Sequence, residues 1–115
     1  MKKSLKGKSV LVTGSGGGLG RSHAILLAER GAKIIVHDIM SDSANETAEL
    51  IRENGQKASV LISDIRDITD FQASIGKIGK IDILVNDDTY PVANLLPLVD
   101  KIHTFSYERK LNSRW

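Results

Sequence analysis

Short apolar runs alternate along the chain with segments of helical periodicity. The runs are SVLVT at 9–13, KIIVH at 33–37, ASVLI at 58–62 and IDILV at 81–85. They are nearly continuous in apolar residues, which is typical of parallel strands that are buried on both faces. Because helical segments lie between the runs, the pattern predicts a βαβαβαβ unit.

The first two helices have predictable ends. The first is expected from Gly18 to just before Gly31, because glycine favours the position after the last helical residue. The second is expected over 41–54, with Ser43 as its side-chain cap and Glu46 three residues later. That spacing is typical of a capping box.

A short third helix is predicted to open at Asp67 or Thr69. Right-handed connections then give an α/β fold of Rossmann type, a doubly wound parallel sheet of about four strands in the order 3-2-1-4, truncated after them. We expect residues 1–98 to form this half-domain. The tail, 99–115, is expected to be irregular or weakly helical.

In that strand order, the run at 81–85 forms an edge of the sheet. An apolar strand with unpaired backbone groups is a template for association. We therefore expect a homo-oligomer, a partner chain over this edge, or a tail that folds across it. A further alternative is that the chain is a fragment whose other half is missing.

Composition narrows the class of protein. The 115 residues are 41% hydrophobic and 26% charged, which is ordinary for one globular domain. There is no cysteine, no apolar run near the roughly 20 residues of a membrane span, and no signal-peptide pattern after the N-terminal lysines. We therefore expect a cytoplasmic protein without membrane contact.

Charge and histidine content weaken two other classes. Basic residues gather at the chain ends, but the net charge is +2 and aromatic residues make up 4%, so nucleic-acid binding is not favoured. The three histidines, His23, His37 and His103, are not clustered, so no metal site is predicted. His23 lies on the packing face of the first helix, where a partly buried histidine is the ordinary interpretation.

The candidate chemistry lies where strand one turns into helix one. The segment TGSGGGLG matches TGxxxGxG fully, but GxGxxG only in part, because Leu19 replaces the third glycine. Glycine lets a diphosphate approach the free N–H groups of a helix N-terminus. A glycine turn that only packs helix on strand is the alternative. The neighbouring Arg21 could approach a phosphate but is expected to point to solvent. The predicted cofactor-binding residues of this turn are Thr13, Gly14, Ser15, Gly16, Gly17, Gly18, Leu19 and Gly20.

Asp38 ends strand two, 18 residues after Gly20. A carboxylate there can accept hydrogen bonds from the adenosine ribose and would repel a 2′-phosphate. Its neighbours include no arginine that could bind such a phosphate. NAD is therefore favoured over NADP as cofactor, and a plain turn or cap role for Asp38 is the alternative.

Together these residues resemble the short-chain dehydrogenase/reductase family, particularly 3-oxoacyl-carrier-protein reductases, over about 5–98. TGSGGGLG resembles the family's phosphate-binding turn, and HDI resembles its NAD-selecting strand end. SDI and GKIDILVN resemble its adenine-binding segment and fourth strand. The resemblance implies an oxidoreductase fold with these further cofactor-binding residues: Asp38, Ile39, Asp64, Ile65 and Asn86. It implies that Asp64 binds the adenine amino group and that the Ile65 backbone completes this recognition.

Two departures from the family affect function. Its NNAG element is here Asn86 followed by Asp87, Asp88 and Thr89. If both aspartates faced a diphosphate, we would expect their charges to weaken binding by roughly one to two orders of magnitude.

The family's catalytic serine, tyrosine and lysine are the second departure. No tyrosine here is followed four residues later by lysine; Ser106, Tyr107 and Lys110 are the nearest substitute, and a polar tail is their ordinary interpretation. No catalytic residue is assigned.

Three functions remain open at this stage. The chain could be an NAD-binding module without turnover. It could be an oxidoreductase for a carbonyl or secondary alcohol, completed by a second chain or by the tail. It could also be a structural protein that has lost cofactor affinity.

Overall fold

The protein is described here from a computed structural model, which covers residues 4–87 and the backbone of a strand at 103–106. A parallel sheet with the strand order β3-β2-β1-β4-β5 forms its centre. The predicted α/β class and the order 3-2-1-4 of the first four strands are confirmed. The elements are β1 (Ser9–Thr13), α1 (Gly18–Glu29), β2 (Lys33–Asp38), α2 (Ser41–Glu53), β3 (Ala58–Ile62), α3 (Ile68–Gly76), β4 (Ile83–Asn86) and β5 (His103–Ser106).

Both faces of the sheet are buried, as the continuous apolar runs predict. Side chains alternate across each strand, so that Val10 and Val12 of β1 face α1 and α2, whereas Leu11 faces α3. The first face packs on small residues of the helices, such as Ala24 and Ala48. This close packing holds the N-terminus of α1 rigidly beside the carboxyl ends of the strands.

The fifth strand corrects two predictions. His103–Ser106 pairs in parallel with β4, so β4 is not an edge, and the tail is a strand over these residues rather than irregular. The physical reason is the unpaired backbone of β4, which a neighbouring extended segment satisfies. A tail that crosses this edge, one of the expected arrangements, is confirmed. The domain division at residue 98 stays a prediction.

The starts of α3, α2 and β4 can be compared with their predicted positions. Asp67 caps α3 by accepting a hydrogen bond from the Asp70 N–H at 3.1 Å, as predicted. Ser43 does not cap α2: the helix begins at Ser41 after Met40, and no side chain within the described residues caps it. The capping box is absent because Ser43 lies inside the first turn of the helix, and Glu46 pairs with Arg21. The sequence predicts the fourth strand at 81–85, whereas β4 begins two residues later, at Ile83.

Candidate functional site

Gly18 and Gly20 are two of the positions in the turn between β1 and α1 that require glycine. Gly18 has a φ of +55°, a left-handed conformation that disfavours residues with a Cβ. A Cβ on Gly20 would lie 2.1 Å from the Gly14 carbonyl oxygen, so a larger residue would push α1 off the turn. The sequence therefore brings the start of α1 as close to β1 as backbone contact permits.

The N-terminus of α1 presents open backbone donors. The first intrahelical hydrogen bond of this turn runs from the Arg21 N–H to the Gly17 carbonyl, so the N–H groups before Arg21 have no intrahelical acceptor. Within the described part of the chain no side chain caps this end, and its first turn holds no acidic residue. A Cβ built on Gly17 or Gly18 meets no atom within 4 Å. This open, positive helix end suits an anion.

The N–H groups of the turn that precede the helix are used internally. Gly14 N–H donates to the Nδ1 atom of His37 at 3.2 Å, and Ser15 N–H donates to the His37 carbonyl at 2.8 Å. The Ser15 hydroxyl is buried and donates to the Val12 carbonyl at 2.7 Å. Of the predicted cofactor-binding residues, Ser15 thus turns its side chain into the protein, where it braces the turn.

His37 is a site residue that its isolated position in the sequence did not reveal. Its ring is buried, with Nδ1 accepting from the Gly14 N–H and Nε2 lying 2.9 Å from the Ser63 carbonyl oxygen. These partners require a neutral ring with the proton on Nε2. The ring also meets Phe71 edge to face, at 5.4 Å between centroids. His37 therefore joins the glycine turn to the end of β3.

Asp38 faces the glycine turn, where the sequence placed it. Its Oδ2 atom accepts from the Gly16 N–H at 2.9 Å, and Oδ1 accepts from the Met40 N–H at 3.1 Å. A Cβ on Gly16 would lie 2.7 Å from Oδ2, so glycine there lets the carboxylate come close. The following residue, Ile39, is 50% exposed and offers an apolar surface beside the carboxylate.

Arg21 does not point to solvent, which corrects the prediction for this residue. Its Nη2 atom donates to the Gly16 carbonyl at 2.6 Å and to Glu46 at 2.7 Å, and Nε donates to the Thr47 hydroxyl at 2.8 Å. The Thr47 hydroxyl in turn donates to the Ser15 carbonyl at 2.8 Å. The position of an arginine three residues after Gly18 gave no sign of these contacts, because Glu46 and Thr47 are on another helix.

Asp64 and Ile65 follow β3 and differ in burial. The Ile65 side chain is buried in the cluster around Phe71, so only its backbone is available to a ligand. Arg66 forms a bidentate salt bridge with Asp64: its Nε and Nη2 atoms lie 2.9 and 2.8 Å from the two carboxylate oxygens. The hydrogen bonds from the Arg66 side chain and backbone lower the pKa of Asp64 from 3.8 to about 2. The Asp64 carboxylate is therefore an anion throughout the physiological range.

Asn86 ties the end of β4 to the end of β1. Its Oδ1 atom accepts from the Thr13 hydroxyl at 2.7 Å, and the Thr13 oxygen accepts from the Asp87 N–H at 3.0 Å. Both Thr13 and Asn86 are buried. Thr13 and Asn86 thus connect the carboxyl ends of the neighbouring strands β1 and β4.

Asp87 faces α1, which changes the expected effect of its charge. Its carboxylate lies 2.8 Å from Nδ1 of His23, and its side chain is 2% exposed. His23 is partly buried, as predicted, and this carboxylate is its partner. The arrangement with Asp87 turned toward a bound diphosphate is therefore not the one present. Asp88 and Thr89 lie outside the described residues.

Other kinds of site receive no support from the described residues. Across 4–87, no three His, Cys, Asp or Glu side chains group in a way that could hold a metal ion. In the same region no buried side-chain nitrogen or oxygen lacks a hydrogen-bond partner. None of the described helices could span a membrane.

Known proteins match most of this chain. The family model "short chain dehydrogenase" matches residues 8–95. An "uncharacterized oxidoreductase" of Thermotoga maritima is 37% identical over 86 residues, or 73% of this chain. The 7alpha-hydroxysteroid dehydrogenase of Escherichia coli is 39% identical over 87 residues, or 72% of this chain. The chain spans about a third of the length of these relatives, 34% in both cases.

Solved structures show the same fold with cofactor bound. A 7 alpha-hydroxysteroid dehydrogenase complexed with NADH and 7-oxo glycochenodeoxycholic acid superposes with a TM-score of 0.67 at 34% identity, over 83% of this chain and 42% of that one. A gluconate 5-dehydrogenase from Burkholderia cenocepacia, in complex with NADP and tartrate, has a TM-score of 0.68 at 34% identity, over 78% and 38%. Both are Rossmann-type enzymes, one with each dinucleotide.

Proposed function

Because the chain belongs to the short-chain dehydrogenase family, we propose that it is an NAD(H)-binding module of that type. The observation that carries the proposal is the open N-terminus of α1, whose free N–H groups stand beside the unobstructed space at Gly17 and Gly18. A diphosphate fits there because no side chain blocks its approach. The residues present therefore suit a dinucleotide, which would supply hydride chemistry when bound.

The choice of NAD over NADP rests on Asp38. Its carboxylate is held beside the glycine turn by the Gly16 and Met40 N–H groups. An acid there can accept from the ribose hydroxyls of NAD, and it repels the 2′-phosphate of NADP. We propose that Ile39 and the Ile65 backbone border the adenine and that Asp64 accepts from its amino group. This assignment follows the family resemblance of HDI and SDI.

The module is proposed to lack turnover by itself. Neither tyrosine of the chain has a lysine four residues later: Asn94 follows Tyr90 at that spacing, and Leu111 follows Tyr107. In the family the lysine lowers the pKa of the tyrosine that transfers the proton. Without that pair, bound NADH has no proton donor of the usual kind beside a carbonyl substrate.

Calorimetric titration tests the binding proposal. We expect NADH to bind and NADPH to bind at least about tenfold more weakly. Repulsion between the Asp38 carboxylate and the 2′-phosphate of NADPH should cost about 1.4 kcal/mol or more. Asp38→Ser, which keeps a small polar side chain but removes the charge, should narrow that preference. If millimolar NADH gives neither heat nor a thermal shift, the proposal is wrong and a structural role without cofactor becomes the better interpretation.

A second candidate function has one observation in its favour. Ser106 ends β5 and lies opposite Asn86 in the register, at the same edge of the sheet as the glycine turn. The family resemblance places a catalytic serine on its fifth strand. An oxidoreductase for a carbonyl or secondary alcohol, completed by a second chain or by Tyr107 and Lys110, would use this position. Tyr107 and Lys110 lie outside the described residues.

A dehydrogenase screen of the purified protein separates the two candidates. Hydride transfer to or from NAD(H) on any carbonyl or alcohol would favour the oxidoreductase. If Tyr107→Phe and Ser106→Ala both leave that activity intact, the tail is not its source, and a second chain must supply the proton donor. Binding of NADH without any turnover supports the module.

A further inference from the structure

Two peptide carbonyls of the glycine turn each accept a hydrogen bond from a helix side chain. The carbonyl of Ser15 accepts from the Thr47 hydroxyl, and the carbonyl of Gly16 accepts from Nη2 of Arg21. In a trans peptide the N–H group points opposite to the carbonyl. Fixing these carbonyls toward Thr47 and Arg21 therefore aims the N–H groups of Gly16 and Gly17 the opposite way.

The first of these peptide units leads directly to Asp38. The Gly16 N–H donates to Oδ2 of Asp38 at 2.9 Å. The Thr47 hydroxyl thus acts on the carboxylate through a single rigid peptide plane. Thr47 is fully buried on α2, so the hydroxyl has no water to exchange with and its position is fixed.

The Thr47 hydroxyl also accepts a hydrogen bond from Arg21. Nε of Arg21 donates to Oγ1 of Thr47 at 2.8 Å, while Thr47 donates onward to Ser15. A chain of hydrogen bonds polarises each member and strengthens it. The Glu46 carboxylate, 2.7 Å from Nη2, holds the guanidinium in place from the solvent side.

We propose that Arg21 and Thr47 are positioning residues for dinucleotide binding. They turn the carbonyl oxygens of Ser15 and Gly16 away from the diphosphate, and they set the Asp38 carboxylate for the ribose. Neither needs to touch the cofactor. This inference rests on the proposed NAD(H) binding and assigns residues on α1 and α2 to it that the glycine pattern does not contain.

The test measures NADH affinity by calorimetry at a temperature well below the unfolding midpoint of every variant. Thr47→Val keeps the shape of the side chain and removes the hydroxyl; we expect the NADH Kd to rise about tenfold. Thr47→Ser restores the hydroxyl and should bring the Kd back to within about twofold of the wild type. A merely structural role would shift the unfolding midpoint and leave the Kd of the folded protein unchanged.

Arg21 variants keep the test decisive if Thr47→Val does not fold. Arg21→Lys keeps the charge but cannot contact Thr47 and Gly16 together, so it should lose about as much affinity as Arg21→Met. Arg52→Met, which removes an arginine of α2 that pairs with Glu49, is the matched control and should bind as the wild type does. In the double variant Thr47→Val/Arg21→Met the losses should be less than additive, because both act through one hydrogen-bonded chain.

The outcomes are distinguishable. If the wild type binds NADH and both Thr47→Val and Arg21→Lys bind it equally well, this inference is overturned and the proposed function stands. If Arg21→Lys alone keeps full affinity, Arg21 supplies charge rather than position, which also overturns it. A wild type that does not bind NADH removes the proposed function together with this inference.

Discussion

At the scale of single residues, the polar side chains of the site are joined in pairs that the linear sequence separates. His37 is the strongest example, because one buried ring satisfies the Gly14 N–H and the Ser63 carbonyl at once. Its neutral form is the only one that fits both partners. A histidine that is isolated in the sequence is therefore a structural link between the glycine turn and the segment proposed to bind adenine.

Replacing His37 by leucine should destabilise the protein by about 2–6 kcal/mol, because the partly buried Gly14 N–H and the buried Ser63 carbonyl lose their partner at about 1–3 kcal/mol each. His37→Asn, whose Oδ1 can still accept from the Gly14 N–H, should lose less. Denaturant unfolding of both variants measures this. Equal stability of His37→Leu and the wild type would show that water replaces the ring at no cost.

Asp64 gives a prediction on pH. Its folded-state pKa of about 2 lies below the ordinary 3.8, so its contribution to stability is present above about pH 4 and is lost as the pH falls through about 2. The salt bridge from Arg66 is exposed, so salt should weaken the effect. In Arg66→Ala, a carbon-detected NMR titration should find the pKa of Asp64 raised toward 3.8. An unchanged value would mean that Arg66 does not cause the shift.

At the scale of elements, the two ends of the α1 turn have separate requirements. Gly20 is in backbone contact with Gly14, whereas the space beside Gly17 is open. Folding therefore depends on Gly20, whereas access of the proposed dinucleotide depends on Gly17. The sequence showed the glycines but did not assign these different roles, since a contact distance between the helix and the strand is needed to do so.

Two alanine variants separate these roles. Gly20→Ala should cost about 3 kcal/mol of stability or more, since its Cβ cannot avoid the Gly14 carbonyl. Gly17→Ala should stay within about 1 kcal/mol of the wild type, because its extended backbone suits any residue. It should nevertheless weaken NADH binding, since the methyl group enters the space proposed for the diphosphate. The opposite pattern in unfolding and titration would contradict this assignment.

Helix α2 offers a stabilising change. Its N-cap residue, Met40, is 61% exposed and has an extended backbone but no side-chain hydrogen bond to the helix. Met40→Ser should add about 0.5–1 kcal/mol by accepting a hydrogen bond from the first turn. Thermal unfolding measures the gain. Met40→Ala is the control, and an equal gain in both variants would show that losing the exposed methionine, not capping, is responsible.

At the scale of the whole molecule, β5 decides how the sheet ends. Its parallel pairing with β4 satisfies the backbone groups that we expected to drive association. A chain shortened to residues 1–98 should therefore associate more strongly with rising concentration than the full chain. Light scattering after size exclusion measures this difference. Equal molar masses of the two forms over a wide concentration range would show that β5 does not protect the edge.

The sequence alone determined the α/β class, the order of the first four strands, and the glycine turn with Asp38 beside it. Those features follow from local patterns: apolar runs of strand length, helical periodicity, and glycine where strand meets helix. Tertiary structure decided that His37 links Gly14 to Ser63, that Arg21 and Thr47 hold the turn, and that β5 covers β4. These depend on contacts between residues distant in sequence, whose partners are set only when the sheet and helices pack together.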